Sequence, residues 1–127
     1  MADEKRSLDF DAEYIEFVRK LEARTRSKKI SWSKTPQGYL AETSTMIFSF
    51  TRRPYSLFAP ELEWGLFTVR RRGGNEIINV ESPGGGILAN AMAMASPMVQ
   101  AVNSLYIAVQ QVATSEVTDA IRELDEL

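Results

Sequence analysis

Between Ser82 and Ser115 the chain carries no charged side chain. A helix on the surface of a small protein normally shows a charged face. Most of this run must therefore be covered, by the chain itself or by another molecule. The chain has 127 residues, the size of one domain, and a domain that small has little protein to spare for covering a helix on every side. A membrane span is a poor alternative. Pro83, Pro97, three consecutive glycines and the amides Asn90, Gln100, Asn103, Gln110 and Gln111 interrupt the run, whereas spanning takes about 20 consecutive, mainly apolar residues.

Composition narrows the chemistry. There are no cysteines and no histidines, which excludes disulfides, thiolate nucleophiles, imidazole acid–base catalysis and thiolate or imidazole metal sites. The net charge of −2 gives no global pull towards nucleic acid or anionic lipid. The first residues, MADEKRSLDFDAEY, contain no apolar signal segment. A cytoplasmic location is the expectation.

The patterning predicts a single α+β domain over residues 9–127, with residues 1–8 frayed. Phe10, Tyr14, Phe17, Val18 and Leu21 recur at spacings of three and four, the mark of one helical face, over residues 9–26. An antiparallel meander of four to five strands follows: Ile30–Ser33, Tyr39–Thr43, Met46–Arg52, Glu63–Arg71 and Glu76–Val80. Thr35-Pro36-Gln37-Gly38 and Arg72-Gly73-Gly74-Asn75 read as tight turns. Ser82-Pro83-Gly84-Gly85-Gly86 ends the sheet.

Two to three C-terminal helices are then expected on one sheet face. A short one covers residues 87–95. The main one starts with Ser96 as cap and Pro97 at its first position. A last one is capped by Thr114 or Ser115, with Val117, Ile121 and Leu124 buried.

Four groups of side chains invite a functional reading. Arg52, Arg53, Arg70, Arg71 and Arg72 could together grip a phosphate or carboxylate with their guanidinium forks. Charge that protects sheet edges is the plainer account. Gly84, Gly85 and Gly86 could let such an anion approach a helix N-terminus, although the spacing matches neither phosphate-loop pattern. Arg24, Arg26, Lys28, Lys29 and Lys34, with Trp32 and Tyr39 nearby, have the makings of a single-strand nucleic-acid surface. A solvated basic face explains them as well, and the acidic pI speaks against nucleic acid. Glu116, Asp119, Glu123, Asp125 and Glu126 offer oxygens but no calcium-loop spacing. No metal or cofactor is expected. No serine, threonine, lysine or tyrosine has an evident base beside it, so no catalytic residue is assigned.

The run from Leu21 to Tyr39, with Lys29-Ile30-Ser31-Trp32-Ser33-Lys34-Thr35 at its centre and Gly38 and Tyr39 at its end, resembles small uncharacterised bacterial proteins. These open with a helix, then a Lys-Ile-x-Trp-x-x-Thr strand, a glycine turn and a second strand. The resemblance covers about 20 residues of local motif, the rest being order of elements. It implies a compact α+β fold and a bacterial, plasmid or phage origin, and it brings no activity with it. The Gly- and Ala-rich stretch between Ser82 and Ser96 departs from that pattern.

The function expected on these grounds is non-enzymatic. The chain is read as an interaction protein, of an immunity or inhibitor type, that self-associates through its uncharged helical region. Met98, Val102, Leu105, Tyr106 and Val109 are the interface residues of that reading, and a protein partner is part of it. A binder of a nucleotide-like anion, using Arg52, Arg70, Arg71, Arg72 and the glycine loop, is the alternative. A nucleic-acid-binding accessory protein is a second alternative.

Overall fold

Alternation of side chains decides the middle of the chain. The computed structural model describes the backbone of residues 2–52, 64–82 and 96–127, with side chains from residue 12 onward. Five strands form one antiparallel sheet in sequence order: β1 (Trp32–Thr35), β2 (Gly38–Glu42), β3 (Met46–Thr51), β4 (Leu66–Arg71) and β5 (Glu76–Glu81). In β3, Phe48 and Phe50 are buried while Ile47, Ser49 and Thr51 are only partly covered. Registers carry the same face across the sheet. Tyr39 lies opposite Phe50 and Phe50 opposite Phe67, while Ala41, Phe48, Val69 and Ile78 form the next row. One extra residue, Ile77, breaks the register between Val69 and Arg70, a bulge that sharpens the local twist.

Two helices lie against the aromatic face, α1 (Ala2–Arg26) and α2 (Pro97–Asp125). The helix α1 reaches back to Ala2, through the residues for which the sequence predicts fraying. Its opening sequence, Ala2-Asp3-Glu4-Lys5, includes good helix formers. Its end is a left-handed cap. Lys28 takes φ 61°, with Lys28 N–H on the Thr25 carbonyl at 3.0 Å and Lys29 N–H on the Arg24 carbonyl at 2.9 Å. That cap uses up residues 27–31, so β1 starts at Trp32 rather than Ile30.

At the start of α2, Ser96 accepts from the Val99 N–H at 3.3 Å with Pro97 behind it. The helix then runs unbroken to Asp125. Among the described residues there is one C-terminal helix, not two to three; the expected helix over 87–95 lies outside them. Thr114 and Ser115 do not interrupt α2. Ser115 donates to the Val112 carbonyl at 2.9 Å and Thr118 to the Thr114 carbonyl at 3.1 Å. A hydroxyl satisfied on its own preceding turn has no need to cap a new helix.

The core is aromatic and centred on Phe50, whose ring lies 4.7 Å from Phe67, 5.1 Å from Tyr106, 5.7 Å from Trp32 and 6.1 Å from Trp64. Its indole N–H groups are satisfied. Trp32 Nε1 donates to Thr25 Oγ1 at 3.0 Å, and Thr25 Oγ1 donates to the Leu21 carbonyl at 2.9 Å. Trp64 Nε1 donates to Asn103 Oδ1 at 2.6 Å. Among the described residues no helix is long and apolar enough to cross a membrane.

Candidate functional site

The covered part of α2 is its first half. Val102, Leu105, Tyr106 and Val109 are buried in the chain's own core, and Met98 is half-buried against it. Ala101 and Ala108 are fully buried as well, because α1 packs on one side of α2 and the sheet on the other. The five side chains expected at a subunit interface are thus occupied within one chain. Beyond Pro97, what remains exposed on this half is a narrow ribbon of Gln100, Asn103, Ile107, Gln111 and Thr114. Neutral amides serve where charges are usual, and Ile107 is 50% exposed.

From Glu116 onward every residue of α2 is exposed. Val117, Ile121 and Leu124, expected to be buried, are 60%, 55% and 68% exposed. They share a side with Tyr106, whose ring meets Tyr39 of β2 and Phe50 of β3. The line Val102, Tyr106, Val109, Ala113, Val117, Ile121, Leu124 advances in steps of three and four, which keeps one helix face in register. The helix packs on β1, the edge strand, and continues past it. The sheet-facing side of α2 therefore outruns the sheet. The sequence carried this signal in the spacing, but only the topology shows that, among the described residues, no strand lies beyond β1 to receive it.

Charges divide sharply around this overhang. Its other side chains include Glu116, Asp119, Glu123 and Asp125, against Arg122 alone. The turn from α1 into β1 supplies Lys28 and Lys29, and β1 itself supplies Lys34, all exposed. The two groups already touch, since Lys28 Nζ lies 3.9 Å from Asp119. Arg26 is held by Glu22 at 3.0 Å and by Gln111 Oε1 at 3.1 Å. Trp32 and Tyr39 are buried, so the aromatic half of a nucleic-acid surface is not presented there. A groove of about 690 Å³ runs along the flank of α2 beside Gln111, Thr114, Ser115, Thr118, Asp119 and Arg122. The hydroxyls of Ser115 and Thr118 in its wall are spent on the helix's own carbonyls.

The structure does not bring the arginine set together. Arg70, Arg71 and Arg72 stand at the hairpin end of β4, next to Met46 at the start of β3. Arg52 follows the other end of β3, about 17 Å away for a strand of that length. Arg72 is already engaged, donating to the Thr43 carbonyl at 3.0 Å and pairing with Glu42. Arg70 and Arg71 are exposed. Arg53, Gly84, Gly85 and Gly86 lie outside the described residues. The chain leaves β5 with Ser82 N–H on the Gly65 carbonyl at 2.9 Å, at the end of the sheet opposite Arg70–Arg72. No cluster of three or more acidic side chains among the described residues is placed to hold a metal ion.

The charge of Arg52 acts on the buried Tyr106, and its Nε is buried without a hydrogen-bond partner among the described residues. The Tyr106 hydroxyl is held above its ordinary pKa, first by burial and then by Tyr39, with Arg52 opposing. An acid whose folded pKa is raised keeps its proton after the unfolded chain has lost it. This contribution to stability is complete below about pH 10, the unfolded value for tyrosine, and declines as pH rises through the folded value. We expect unfolding midpoints in urea to fall above that pH. Tyr106→Phe should flatten this decline, and an unchanged decline would assign it to other groups.

Comparison of the chain with protein-family models, with curated proteins and with solved structures gave no match.

Proposed function

We propose that this chain is an interaction protein that self-associates through the exposed end of its C-terminal helix. One observation carries the reading. Val117, Ile121 and Leu124, each more than half exposed, form an apolar line on a part of the helix that no strand among the described residues covers. Aliphatic side chains gathered on one exposed face favour association, since removing them from water stabilises by about 25 cal/mol per Å². The sequence offers no evident acid–base pair, and the arginines are divided between two ends of the sheet, so catalysis and anion binding draw less support.

Sedimentation velocity over a hundredfold range of protein concentration, with native mass spectrometry beside it, tests this directly. The expected result is a mass that rises with concentration towards a defined multiple of 14.3 kDa. A constant monomer mass would refute the reading. A monomer carrying a small added mass would favour the anion-binding alternative.

A further inference from the structure

We draw no further inference here: the strongest candidate, the exposed apolar line of Val117, Ile121 and Leu124 at the end of α2, carries nothing more, since nothing among the described residues shows what covers it.

Discussion

Gly38→Ala is expected to cost about 2–6 kcal/mol, the sum of about 1–3 for a strained backbone and about 1–3 for a forced shift of packed neighbours. Gly38 has φ +154°, and a Cβ placed there would stand 1.9 Å from the Phe50 carbonyl oxygen. That oxygen belongs to the backbone of the central strand and cannot rotate away. Gly38 also starts β2, paired with both Thr35 and Thr51, so a shift there disturbs two ladders. A domain with about 5–15 kcal/mol of stability would lose a large share of it. Urea denaturation followed by the fluorescence of the two buried tryptophans, Trp32 and Trp64, measures the loss. Gly73 is the matched control. It has φ +66°, but an added methyl there would meet nothing within 4 Å, so Gly73→Ala should cost only about 1–2 kcal/mol. Equal losses at both sites would show that backbone conformation, not the approach of Phe50, sets the penalty.

Phe50→Ala is expected to cost about 3–5 kcal/mol, the usual range for deleting a buried phenyl ring. Phe50 is 2% exposed and is the ring that Trp32, Trp64, Phe67 and Tyr106 share. Its removal opens a space bounded by four large rings. They come from β1, β4, the segment before β4 and α2, and none can close the space without moving its own element. Phe17→Ala offers a contrast. Phe17 is only partly buried, and its ring lies 6.2 Å from that of Phe48, away from the central cluster. Denaturant midpoints should fall clearly further for Phe50→Ala. A loss no greater than that of Phe17→Ala would mean the centre of the core lies elsewhere.

The strands were legible because burial on one face writes itself as period two. Met46, Phe48 and Phe50 against Ile47, Ser49 and Thr51 allow only one way round. Ser96-Pro97 was legible because a cap and a ring with fixed φ act locally. What escaped was whatever depends on distant packing. Thr114 and Ser115 look like a boundary, but their context offered them carbonyls one turn back. Val117, Ile121 and Leu124 have the spacing of a buried face, yet spacing states only that three side chains point one way, not that anything waits there. The arginines shared a residue type and proximity to strand ends. Antiparallel register then sent Arg52 and Arg70–Arg72 to opposite ends. Likewise an uncharged helix admits a covering from within or without, and only the placement of α1 beside α2 decides in favour of the former for Val102, Leu105, Tyr106 and Val109.

The order of strands in the sheet has a consequence for how the chain acquires its structure. Each strand is bonded to its neighbour in sequence, so the ladder grows by successive hairpins, the kind of short-range closure that proceeds quickly. The contact that spans the longest stretch of sequence is that between α1 and α2, and closing a longer loop costs more chain entropy. During synthesis from the N-terminus, the meander can pair while α2 is still being made. Until Tyr106 and Val109 arrive, the rings of Phe50 and Phe67 face water. Docking of α2, which buries Tyr106 and Val109 in that core, thus ends an exposure of apolar surface that favours aggregation.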